Sequence, residues 1–205
     1  MDVKPKNLLP LIAAASALRK MDILREFIEQ TKIKQIPFLK IYETLLQNYL
    51  FTGYPSALLS LKVLKEMYPN KKFAEAADMN LYHFRKRGEA NCIKVYGHKF
   101  EKLIKNVKNF SPDMAEWLVL EGYGKVLGRK GLNFKERELC IVAVLTVLKF
   151  EDQLYSHING AFRAKASIEE IRSVIKSLSC FGNKNLSAYG LKVLDRFEKE
   201  KGMHS

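Results

Sequence analysis

Two residues of this chain could carry proton-transfer chemistry together. Glu138 stands at the head of an almost wholly apolar run, and His157 follows in the next helical segment. A carboxylate withdrawn from water beside an imidazole forms a relay that can work as acid or base near neutral pH. Gln153 lies four residues before His157, so the two share one helical face. Arg129 and Arg137 lie nearby and could hold a carboxylate as a two-pronged fork. The same residues also admit a plain reading. A mid-helix histidine is commonly a hydrogen-bonded core residue, and an acid in a first helical turn is favoured by the helix dipole alone.

The elements that must position these groups are marked locally. Asn133-Phe-Lys-Glu136 is an Asn form of the capping box, and a helix is predicted to start there. Leu139 to Leu148 then reads Leu-Cys-Ile-Val-Ala-Val-Leu-Thr-Val-Leu. A helix apolar on every side belongs in a core, and the run is too long for an ordinary strand. A turn is expected near Lys149 and Phe150. The next helix carries Gln153, His157 and Gly160 on one side, with Leu154, Ile158 and Ala161 on the other. Ser167-Ile-Glu-Glu170 is a second capping box and opens a third helix.

Three pieces, Gly128-Arg-Lys-Gly131-Leu, Arg137-Glu-Leu139 and Gln153-Leu-Tyr-Ser-His157-Ile-Asn-Gly160-Ala161, together resemble the carboxymuconolactone decarboxylase family, which includes alkyl hydroperoxidase D-like proteins. The resemblance covers roughly residues 110 to 200. It implies an all-α bundle, a Glu138 and His157 proton relay, and Tyr123 and Arg129 as pocket-lining residues. It also implies a homo-oligomer of trimeric or hexameric type. Peroxidase members of the family carry a Cys-x-x-Cys pair whose positions here are Phe150 and Gln153, so thiol-based peroxide reduction is not expected. Lys130 stands where the family has Pro. Lys165 stands where it often has Gly, so the His157 helix is expected to end differently.

Composition narrows the class. The 205 residues suffice for one sizeable core, with 47% apolar and 28% charged residues. Helical periodicity dominates over strand alternation, so the fold class is all-α. The net charge of +13 draws anions, whether phosphates, carboxylates, nucleic acid or acidic membrane, although lysines spread over a surface often serve solubility alone; a small anionic molecule is the partner expected. The three cysteines, Cys92, Cys140 and Cys180, fit no zinc or dithiol spacing. No metal and no cofactor are implied. Leu8 to Leu18 is too short to span a bilayer and lacks a cleavage signal. A cytoplasmic location is the expectation.

The N-terminal stretch reads as a degraded copy of the C-terminal one at an offset of about 130 residues. Leu45 to Leu64 aligns with Val174 to Leu194, and Gly53 falls on Gly182. The offset sets Phe27 or Ile28 against His157 and Leu8 against Glu138, so this copy is expected to serve packing. Its helices are expected to meet near Lys20-Met21-Asp22, to start again at Pro37, to stop at Gly53-Tyr-Pro55, and to run from Ser56 to Met67. The expected organisation is thus a degenerate repeat over 1–67, a basic helical connector over 68–109, and the decarboxylase-like repeat over 110–205. In the connector, Phe100, Leu103, Ile104 and Val107 follow helical spacing with lysines opposite. That pattern favours a solvated amphipathic helix over a nucleic-acid surface, although interleaved aromatics keep the latter open. Ser111-Pro112-Asp113 starts a short helix bearing Trp117, which the resemblance sets near His157 and which otherwise reads as ordinary core packing.

The function expected is acid–base chemistry on a small anionic organic molecule, a lactone or a carboxylate. His157 would move the proton and Glu138 would orient or relay it. Arg129 or Arg137 would bind the carboxylate, and Gln153 would hold substrate or imidazole. The rivals are a non-catalytic helical scaffold and a nucleic-acid or anionic-surface binder.

Overall fold

The computed structural model describes residues 4–72 and 79–203. No described residue lies in a strand, and the chain is an all-α helical bundle. It divides into two compact units, one formed by Met1–Pro69 with Gly131–Ser205 and the other by Asn70–Lys130.

The larger unit holds two series of four helices. The first series is α1 (Pro5–Ala17), α2 (Met21–Ile33), α3 (Phe38–Gln47) and α4 (Tyr49–Met67). In the smaller unit, α5 (Leu81–Tyr96), α6 (Phe100–Phe110) and α7 (Pro112–Trp117) precede a π-helical segment, Leu118–Val126. The second series of the larger unit is α8 (Phe134–Leu148), α9 (Glu151–Arg163), α10 (Ile168–Ser177) and α11 (Lys184–Glu200). In each series the first helix touches the other three, and the fourth also touches the second and third.

The two series share backbone punctuation. Arg19, Gln35 and Gly53 have φ of 56°, 53° and 74°, and about 130 residues later Lys149, Lys165 and Gly182 have 60°, 66° and 80°. Gly53 breaks the helical path of α4, where Pro55 follows at once. Lys165 takes the left-handed turn that a glycine would supply, with its N–H on the Phe162 carbonyl and the Ala166 N–H on that of Ala161. The His157 helix therefore ends as it would with glycine, contrary to expectation, because the turn's hydrogen bonds hold lysine in a conformation that glycine adopts more cheaply.

α1 and α8 pack against each other at the centre of this unit. Asn7 to Ala17 in α1 and Arg137 to Val147 in α8 are buried without interruption. Runs apolar on all sides have no solvent face to offer, so each must be enclosed by its neighbours. The alanines of α1, Ala13, Ala14, Ala15 and Ala17, keep the backbones close. Where α1 meets α4, Asn48 donates to the Ala13 carbonyl at 2.8 Å, Ser56 to the Ser16 carbonyl at 3.1 Å, and the Ser16 and Ser60 hydroxyls meet at 2.8 Å.

Within the smaller unit, α5 lies on the π-helical segment, and glycine permits the contact. A Cβ on Gly88 would fall 2.1 Å from the Val119 carbonyl oxygen, and one on Gly124 would fall 2.2 Å from that of Phe84. The amphipathic helix expected in the connector forms as α6, and a further helix, α5, precedes it, beginning at Leu81, capped by the Asn80 side chain, and ending before Gly97, where φ is 59°. A single helix through Phe100 would need that glycine to stay right-handed. Trp117 is 56% exposed rather than part of the core.

Both predicted capping boxes form. Asn133 and Glu136 satisfy each other's backbone N–H at 2.9 Å. Ser167 accepts from the Glu170 N–H at 3.1 Å, and Glu170 accepts from the Ser167 N–H at 2.9 Å. The Ser167 N–H, then Lys135 at 3.0 Å, hold the Glu170 carboxyl below its ordinary value of 4.5. A folded-state value below the unfolded one gives stability above the unfolded value that is lost as pH falls through the folded one. Glu170→Ala should therefore lower urea stability by about 0.5–1.5 kcal/mol at pH 7. The gap to the parent protein should close as pH drops through the carboxylate range; a gap unchanged at pH 3 would contradict this account.

Candidate functional site

α8 and α9 run side by side, and this brings the two sequence-predicted relay groups together. His157 Nδ1 lies 2.9 Å from Glu138 Oε2, with both side chains buried. With Glu138 as a carboxylate, which can only accept, the imidazole proton in this contact would sit on Nδ1 and leave Nε2 without it. The Phe51 ring of α4 meets the imidazole edge-on, with centroids 6.3 Å apart and an interplanar angle of 84°. The other series shows a matching contact: Phe27 and Phe181 meet at 6.1 Å and 89°. Phe27 and Phe181 stand about 130 residues from His157 and Phe51 respectively.

Arg137 is fully engaged in the interior. Its Nη2 donates to Glu43 Oε2 and its Nη1 to Gln47 Oε1, each at 3.0 Å. All three side chains are buried. Gly131 closes the turn that precedes this helix, with φ of 113°. A Cβ there would lie 2.7 Å from Glu43 Cγ, so both conformation and space require glycine. The counterpart in the other series is smaller: Asn7 donates to the Ser173 hydroxyl at 3.0 Å.

The remaining predicted residues lie elsewhere. Gln153, in the first turn of α9, is exposed. Tyr123 belongs to the smaller unit, where its hydroxyl donates to that of Tyr96 at 2.8 Å and its carbonyl accepts from Asn91 at 3.1 Å. Arg129 is half-buried in that same unit. Glu43, Gln47 and Phe51 were not anticipated. They recur every four residues through α3 and into α4, on the side of α3 opposite Ile41 and Leu45, where the pattern alone reads as solvent-facing.

Burial governs the thiols. It pushes Cys92 and Cys140 up to about 12 and Cys180 up to about 11. The Thr44 hydroxyl lies 3.9 Å from the Cys140 sulfur. Among the described residues no group of three or more His, Cys, Asp or Glu side chains is placed to hold a metal ion.

Residues 112–196 match the model of the carboxymuconolactone decarboxylase family. This segment belongs to that family. It includes Glu138 and His157 and leaves Glu43, Gln47 and Phe51 outside. A Schizosaccharomyces pombe protein named peroxisomal protein 2 is 28% identical over 170 residues, covering 79% of this chain and 78% of its own. The 4-carboxymuconolactone decarboxylase of Acinetobacter baylyi is 25% identical over 119 residues, covering 58% of this chain and 89% of its own.

Two outcomes follow. Arg137→Met alone should cost about 3–5 kcal/mol, because it strands a buried carboxylate. Combined with Glu43→Leu, the total should fall well short of the two single costs added; strict additivity in urea denaturation would refute the coupling. In the native protein all three cysteines should react with iodoacetamide at pH 8 far more slowly than free cysteine, and at full rate in denaturant. Rapid native labelling at Cys140 would overturn its assignment as a buried, protonated thiol.

Proposed function

We propose that the residues around His157 catalyse proton transfer on a small lactone or carboxylate. The observation that carries this reading is the buried 2.9 Å contact between His157 Nδ1 and Glu138 Oε2. Glu138 fixes the tautomer and stabilises the imidazolium that forms when Nε2 takes a proton. Nε2 would remove or return a proton at carbon next to a carbonyl. A lyase step that releases carbon dioxide would use the same group to protonate the carbanion left behind. The name of the Acinetobacter relative supports that reaction class.

Arg137 enters this scheme by holding Glu43 and Gln47 against the start of α8, since both its terminal nitrogens are already engaged. Arg129, Tyr123 and Gln153 are proposed as substrate-binding residues on the family resemblance alone. The shared turns and helix contacts support reading the larger unit as two copies of one helical repeat. Self-association is proposed on the resemblance. No helix among the described residues is long and apolar enough to cross a membrane. The cytoplasm is the proposed location, and the name of the S. pombe relative makes the peroxisome its rival.

The test is exchange and turnover in deuterated water. Lactones and carboxylated lactones incubated with the protein should show catalysed exchange or loss of carbon dioxide by NMR. His157→Asn should slow this by about 10²–10⁴-fold, and Glu138→Gln by a smaller factor. If His157→Asn keeps the parent rate, the assignment of His157 fails. If no compound of these classes reacts and the substitution only lowers stability, the scaffold reading takes its place.

A further inference from the structure

Gln47 holds an unused donor in the interior. Its Oε1 accepts from Arg137 Nη1, and because a guanidinium only donates, the two ends of the amide cannot be exchanged. Its Nε2 is therefore turned away from Arg137, and it is buried with no hydrogen-bond partner. A buried N–H of this kind is costly, and native proteins rarely keep one without an acceptor.

Its place in the fold says what the acceptor would be near. α3 passes into α4 through Asn48, whose backbone stays helical at φ −62° and ψ −23°. Gln47 and Phe51 are thus one helical turn apart on a common face. Phe51 lies against His157, and Arg137, the partner of Gln47, adjoins Glu138 in the chain. The free amide therefore lies one helical turn from the ring that meets the imidazole. Beside Gln47, the Arg137 guanidinium is already balanced by Glu43. A further anion at this point would be unbalanced, whereas a neutral carbonyl oxygen would not.

We propose that Gln47, from the N-terminal series, is a substrate-binding residue whose Nε2 donates to a neutral carbonyl oxygen of the molecule that His157 acts on. This rests on the acid–base reading of His157. The first series then supplies one wall of the site, Gln47 and Phe51, as well as packing. The oxygen it binds is the lactone or ketone carbonyl, so that the proton moved by Nε2 of His157 leaves or joins the carbon beside it.

The experiment uses the full-length protein labelled with nitrogen-15. The Gln47 side-chain amide pair is assigned by its loss in Gln47→Glu, which keeps an oxygen for Arg137. γ-Butyrolactone is titrated in, with cyclopentene as a five-membered ring lacking oxygen and cyclopentanecarboxylate as a five-membered ring bearing an anion. The lactone should shift the Gln47 amide and the His157 imidazole signals together, and cyclopentene should leave the amide unmoved. Gln47→Glu and Gln47→Met should each weaken lactone binding by roughly tenfold while leaving cyclopentene binding unchanged. A lactone that shifts His157 but not Gln47 overturns this assignment and leaves the acid–base reading standing. A carboxylate that shifts Gln47 as strongly as the lactone overturns the choice of a neutral oxygen. A lactone that shifts neither residue overturns the proposal, and the exchange assay on His157→Asn then decides separately whether the acid–base reading survives.

Discussion

The buried ion pair of Arg137 with Glu43 is the constraint on which the site geometry depends. Taking either charge out of water alone would be prohibitive, and each is tolerated because the other is held at 3.0 Å. Gln47 satisfies a second guanidinium nitrogen, so the cation cannot swing toward an incoming ligand without stranding both partners. The next residue, Glu138, inherits its position from this anchor. With the start of α8 fixed by Arg137 and by the Asn133 capping box, the Glu138 carboxyl is presented to α9 at one height, where His157 meets it. A charge pair of this sort adds little net stability compared with apolar residues of the same volume. Its value lies in geometry: it permits one register between the helices and penalises the others.

The two helical series show how one backbone plan accommodates different chemistry. Left-handed turns recur at matching places, and each series packs its first helix through its other three. The side chains at corresponding points diverge in one direction. Where the second series has His157 against Phe51, the first has Phe27 against Phe181. Where Arg137 reaches Glu43 and Gln47, Asn7 reaches Ser173. An aromatic ring keeps the volume of an imidazole without its need for a partner, and Leu8 removes the carboxyl in the same way. A buried polar network kept at one position and not the other fixes the register of the second series where the first relies on apolar packing.

Much of this was legible in the chain itself, for reasons that differ by element. The starts of α8 and α10 could be read from four residues each, because capping is a local hydrogen-bond exchange. The contact of Glu138 with His157 was legible through family resemblance and the short turn between two helices. Glu43 and Gln47 were hidden because they occupy the face of α3 that amphipathic patterning assigns to water. Their partner Arg137 arrives from 90 and 94 residues away in sequence. The start of α5 was missed because its cap, Asn80, precedes a segment without a clear apolar stripe. Trp117 was misplaced because a large aromatic side chain reads as core wherever it falls, while its exposure is decided by which neighbours arrive.

The thiols complete the chemical argument by what burial does to them. Peroxide reduction needs a thiolate, and each cysteine here is held protonated across the physiological range by desolvation. By the family resemblance, the positions of the peroxidase thiol pair carry Phe150 and Gln153 here. What the interior retains is an imidazole held against a carboxyl group beside the Arg137 anchor, and in the proposed reaction that pair would move protons rather than reduce peroxide.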